Sequence, residues 1–106
     1  MTPLRHAPTL PEIIAAVSTI TGVSAHTILT GCQSTRAARE ARILAWAVAR
    51  RFPAHEFTAG AIAEEFCCNT STIYAGVKAF DARHPGDEGA RWIERVIWQI
   101  ELGGQG

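Results

Sequence analysis

The chain has 106 residues, 47% of them hydrophobic, and ten acidic side chains balance ten lysines and arginines for a formal net charge of zero. That is enough material for one hydrophobic core; no apolar run approaches the ~18–20 residues a membrane span requires, and the first residues lack the charged-then-apolar layout of a secretory signal. A cytoplasmic protein without a membrane partner is the expectation. The three cysteines are an odd count, and two of them, Cys67 and Cys68, are adjacent, a poor geometry for an ordinary disulfide, so reduced thiols in the core are expected.

Residues 1–11 hold Pro3, Pro8 and Pro11 with little periodicity, which predicts a loose N-terminal arm ahead of a helical domain over 12–102. From Glu12, the apolar residues Ile13, Ile14, Val17 and Ile20 recur at helical spacing, and Gly22 is placed to end that helix. Ser24 can cap a short second helix carrying Ile28 and Leu29, which Gly31 stops. Ser34 or Thr35 can cap a third helix that Pro53 forces to end near Phe52. One face of it holds Ala37, Ala38, Ala41, Leu44, Ala45, Val48 and Phe52, the small residues allowing another helix close approach. Ile43 and Trp46 lie on its other side, where the first two helices are expected to cover them.

Charge is unevenly distributed. Between residues 34 and 51, Arg36, Arg39, Arg42, Arg50 and Arg51 face a lone Glu40, so the middle of the chain is locally basic. Arg36, Arg39 and Arg42 sit at the helix entry, while Arg50 and Arg51 are placed to interact with the last carbonyls of their own helix.

Thr58 can cap a fourth helix with Ile62, Ala63 and Phe66, and a tight turn leads to a fifth with Ile73, Val77 and Phe80 inward. Together, residues 62–73 have the layout of a helix-turn-helix. Ala63 is small where the two helices cross, Ile62, Phe66 and Ile73 fill the wedge, and Asn69 can cap the second helix. Cys67 stands where the turn needs a positive φ, a conformation costing roughly 1 kcal/mol for a residue other than glycine. In such a motif the N-terminal residues of the second helix meet base edges in the major groove. Asn69, Thr70, Ser71, Thr72 and Tyr74 are the candidate base-reading residues, and Arg36, Arg39, Arg42 and Lys78 the candidate backbone contacts. Ser and Thr can hydrogen-bond either base type, and a threonine methyl can rest on the thymine methyl.

After the break at residues 84–87, a last amphipathic helix carries Trp92, Ile93, Val96, Ile97, Trp98 and Ile100. It is expected to close the core. Trp92 and Trp98, six residues apart, fall on different faces, and an exposed one would suit a protein contact such as self-association or docking to RNA polymerase. Residues 103–106 read as a glycine-rich tail or linker, joining the domain to a larger regulator if the chain is a fragment. The four histidines and three cysteines lack the close pairs of a zinc site, and no nucleophile–base grouping or phosphate-binding loop stands out. Neither a metal, a cofactor nor an enzymatic activity is therefore expected.

From Leu10 to Phe80 the chain resembles the C-terminal DNA-binding domain of the bacterial replication initiator DnaA, a Trp-repressor-like helix-turn-helix. The resemblance rests on Gly22-Val23-Ser24, on Ile28-Leu29, on the run from Arg39 to Arg50 and on the helix-turn-helix that follows. It implies an all-α domain of five to six helices in which Arg36, Arg39 and Arg42 grip phosphates and reach the minor groove. The family's turn reads Gly-Gly-Arg-Asp-His-Thr-Thr. Here Cys67-Cys68-Asn69-Thr70-Ser71-Thr72 is one residue shorter and keeps only the hydroxyl pair Ser71 and Thr72, so binding of the initiator's own DNA box is not implied. The expectation is sequence-specific double-stranded DNA binding in transcription regulation; regulation of replication initiation and a protein-interaction module on the same fold are the alternatives.

Overall fold

The computed structural model describes residues 8–31, 35–51 and 57–104. These residues form six helices and no strand: α1 (Leu10–Thr21), α2 (Ala25–Thr30), α3 (Arg36–Arg51), α4 (Ala59–Glu65), α5 (Thr70–Arg83) and α6 (Asp87–Gly104). The all-α expectation is met. No helix among the described residues is long and apolar enough to cross a membrane.

Helix α1 starts at Leu10, two residues before the periodicity suggested. Thr9 and Glu12 form a reciprocal capping box, and Pro11 falls in the first turn, where its missing N–H would have had no helical acceptor. Pro8 and Leu10 are buried, so the end of the expected arm belongs to the fold; residues 1–7 lie outside the described residues. Gly22 (φ 79°) and Gly31 (φ 66°) end α1 and α2 in the left-handed conformation, as their positions predict. Ser24 caps α2 through Thr27 N–H, and Thr35 caps α3 through Ala38 N–H at 3.1 Å.

Helix α3 is the hub: α1, α2, α4, α5 and α6 all pack on it, and α6 also closes over α1. Every residue from Ile43 to Ala49 is buried, and a helix apolar on all sides is one enclosed by its neighbours. Alanines at 41, 45, 47 and 49 make room for that many helices. Trp46 is covered differently from the expectation. Its ring meets Phe66 edge-on at 5.8 Å and lies against the backbone of Gly76, so the end of α4 and the middle of α5 cover it, which the expectation did not include. A mid-helix glycine in α5 is what allows this approach.

Arg50 and Arg51 also depart from the expectation. Instead of serving their own helix end, Arg50 donates to the Phe57 carbonyl at 3.2 Å and Arg51 makes a two-pronged bond to Asp81 of α5, 2.6 Å at each prong. That hydrogen bond from Arg51 holds the Asp81 carboxyl below its usual range. A carboxylate with a lowered folded-state pKa adds stability above its unfolded value and loses it as the pH falls through the folded one. The pair is half exposed, so Asp81→Asn is expected to cost only about 0.5 kcal/mol near neutral pH. In urea melts the gap between variant and parent should close as the pH drops below the ordinary carboxylate range.

At the other end, α6 runs through residues 103 and 104, so those two glycines continue the helix instead of beginning a tail. The break at 84–87 is present, with Gly86 at φ 63°. Trp92 is half-buried and Trp98 is 55% exposed, so one tryptophan does remain at the surface.

Candidate nucleic-acid interface

The turn between α4 and α5 is closed by its own backbone. Cys67 N–H donates to the Glu64 carbonyl at 3.3 Å, and Cys68 N–H reaches the Ala63 carbonyl at 2.9 Å. These two bonds, with Cys67 left-handed at φ 53°, are the Schellman arrangement that most helices complete with glycine. Cys67→Gly should relieve the strain and raise stability by about 1 kcal/mol in denaturant melts. A loss of stability on that change would mean the thiol itself holds the turn.

Ile62 and Ile73 are fully buried and Phe66 nearly so, filling the wedge between α4 and α5 as the sequence predicts. The cysteines divide. Cys68 packs partly into the core, where burial pushes its thiol up against the pull of nearby Arg42; Cys67 is exposed, because a left-handed residue at the turn points its side chain away from the packed helices, and so it is not a core thiol. Cys32 lies outside the described residues.

Asn69 takes the N-cap position of α5, but its side chain makes no cap hydrogen bond, contrary to the expectation. The Asn69 carbonyl instead accepts from Thr72 N–H at 3.0 Å. The amides of Thr70 and Ser71 are then left at the start of α5, where the helix dipole favours an anion. Asn69, Thr70, Ser71 and Thr72 are all exposed, and Tyr74 is 57% exposed beneath the Arg50 guanidinium, 5.6 Å from the ring centre.

Because Ile73, Gly76 and Phe80 point inward, helical geometry places Ser71, Ala75, Lys78 and Ala82 on the opposite side, and all four are exposed. The sequence reading named Ser71 and Lys78 but missed Ala75, which falls between them. Its signal was available in the phase of α5: the position is one turn on from Ser71 and out of register with the apolar set. A side chain this small lets a helix sink deep into a groove.

The three arginines in the first half of α3, Arg36, Arg39 and Arg42, have different surroundings. Arg42 is half-buried: its guanidinium lies 5.2 Å from the Trp46 ring centre and 5.8 Å from that of Phe66, pressed against Gly31. It therefore stands beside the turn, and its buried Nε has no hydrogen-bond partner among the described residues. Arg39 and Arg36 are exposed, about 4.5 and 9 Å farther along the axis at ~1.5 Å per residue. Arg36 borders a groove shared with Arg83, at the C-terminal end of α5, so it is not gathered with Thr70–Thr72. Exposed Glu64 and Glu65 also flank the turn and temper the local positive charge.

Against this geometry, no protein-family model matches the chain, and no curated protein or solved structure does so either.

Helix α3 begins in an electrostatically unusual way. Its first turn contains Arg36 and Arg39 and no acid. The positive pole of a helix favours carboxylates, and a cation there costs about 0.3–1 kcal/mol. Two cations at that pole make a local concentration of positive potential on a chain whose charges sum to zero.

Proposed function

We propose that the protein binds double-stranded DNA in a sequence-specific manner, with α5 in the major groove, as a DnaA-like regulator of transcription. The observation that carries this reading is the exposed polar opening of α5, Asn69 to Thr72, held on a rigidly closed turn with Arg42 beside it. Ser71 and Thr72 supply hydroxyls for base edges, and Ala75 supplies an apolar contact for a thymine methyl. The free amides of Thr70 and Ser71 suit a phosphate oxygen, as helix N-termini do generally. Lys78, farther along the same side of α5, and Arg39 and Arg36 at the start of α3 are assigned to the sugar–phosphate backbone. Arg42, held against the Trp46 and Phe66 rings, has the smaller share: it positions the turn and adds its charge there.

Selecting bound duplexes from a random library tests the reading. A defined motif is expected, and Ser71→Ala or Thr72→Ala should relax it at one or two base pairs, each worth about 1–3 kcal/mol of discrimination. Recovery of unenriched sequence would contradict base reading by α5.

A second feature supports a protein partner in addition to DNA. Trp98 and Leu102 are each 55% exposed and one turn apart on the outer side of α6. On the alternative that the fold is purely a protein-interaction module, this pair is its natural contact, and the α5 variants above would be silent.

A further inference from the structure

A groove of about 490 Å3 opens where the end of α1, the start of α3, the end of α5 and α6 meet. That size lies within the roughly 300–1,000 Å3 of small-molecule sites. Val23, Ala41, Leu44 and the half-buried Trp92 give it an apolar lining. Its charged rim is largely cancelled: Arg83 pairs with Glu40 at 2.6 Å, and His84 Nδ1 lies 3.1 Å from a Glu88 oxygen. Arg36 has neither an ion pair nor a side-chain hydrogen bond among the described residues, and it stands at the first position of α3, where the dipole adds to its charge. The groove thus combines an apolar bed with one uncompensated guanidinium at its edge.

We infer that this groove binds a small amphipathic carboxylate, its apolar body against Leu44 and Trp92 and its charged head on Arg36, and that occupancy weakens DNA binding by neutralising Arg36. The binding half stands on the groove alone; the regulatory half rests on the DNA reading proposed above. Guanidinium and carboxylate match in a two-pronged hydrogen bond, which selects this ligand class over a neutral one. The occupied groove would also touch Arg83 and His84, the last residue and the C-cap of the helix whose opposite end is assigned to base reading.

The test is an NMR titration of the full chain with 3-phenylpropionate and with its neutral amide, 3-phenylpropanamide, following the three indole N–H signals. The acid should move the Trp92 signal saturably and leave that of Trp98, on the outer face of α6, in place. The amide, and the acid against Arg36→Gln, should each bind about tenfold more weakly, and Ala37→Phe, which fills the groove from an exposed position, should abolish the shift. Equal binding of acid and amide, or movement of Trp98 alongside Trp92 without saturation, overturns the site. With a labelled duplex present, saturating acid should lower DNA affinity severalfold and reduce the slope of log K against log salt by about 1. DNA affinity indifferent to the bound acid overturns the regulatory half. Acid binding in a protein that ignores duplex DNA supports the groove and defeats the DNA reading.

Discussion

Replacing Arg36 and Arg39 together by alanine is expected to lower duplex affinity roughly a hundredfold at 0.1 M salt. Each phosphate contact contributes about 0.9 to the slope of log K against log salt, which is close to tenfold per contact between 1 M and 0.1 M. The double variant should therefore also lose about 2 from that slope. Folding ought to respond in the opposite direction. Both arginines stand in the first turn of α3, which has no acid to offset them, so their removal should leave stability unchanged or raise it by about 1 kcal/mol. Weaker binding from a domain at least as stable cannot be blamed on unfolding. A double variant that binds with the parent's salt slope would show that the backbone contacts lie elsewhere.

Gly76→Ala is expected to be the most damaging small change in the domain. A Cβ at this position would come within 2.3 Å of Trp46 Cε3 and 2.6 Å of Cζ3. The ring has nowhere to go: it is 6% exposed, edge-on to Phe66, with Arg42 stacked on it. Alanine improves helix propensity by about 1 kcal/mol, but overpacking a filled core costs more, and the net loss should be about 2 kcal/mol. For a domain of this size that lowers Tm by roughly 10 °C. The clash is with one side chain, so the combination with Trp46→Leu should cost at least 1 kcal/mol less than the sum of the two single changes. Strict additivity in thermal melts would place the cause elsewhere, since Gly76 would then be valued for its backbone and not for the space it leaves. Because α5 carries the proposed reading surface, Gly76→Ala should weaken DNA binding at temperatures where it is still folded.

What could be read from the sequence was mainly local. Gly22 and Gly31 announce left-handed helix ends because nothing else adopts that conformation as cheaply, and the positive φ of Cys67 followed from the spacing of the helix-turn-helix alone. The break at 84–87, the caps at Ser24, Thr35 and Thr58, and the wedge of Ile62, Phe66 and Ile73 are likewise short-range consequences of residue type. What stayed hidden depends on residues distant in the chain. No periodicity says that Trp46 is covered from α5, or that Arg51 reaches Asp81 thirty residues on. Local rules misled at Pro11, which counts towards a loose arm by composition although the first helical turn accepts proline, and at Asn69, which holds the cap position without using its side chain. For the proposed interface, the residue types of α5 were visible, and so in part was their shared orientation. Ala75 was legible in the phase of α5 relative to Ile73 and Phe80, and the burial of Gly76 completes the inward side opposite it. The separation of Arg36 from the turn, and its place on the groove beside Trp92, required the packing of four helices together.

Fluorescence anisotropy of a labelled random duplex, titrated with the unmodified protein from 50 to 300 mM salt, tests the central claim most directly. A DNA-binding domain of this kind should give saturable binding whose log K falls linearly with log salt, with a slope reflecting at least three neutralised phosphates, about −3 or steeper. No binding at the lowest salt, or an affinity that does not change across the series, would contradict duplex recognition by α5 and the arginines of α3.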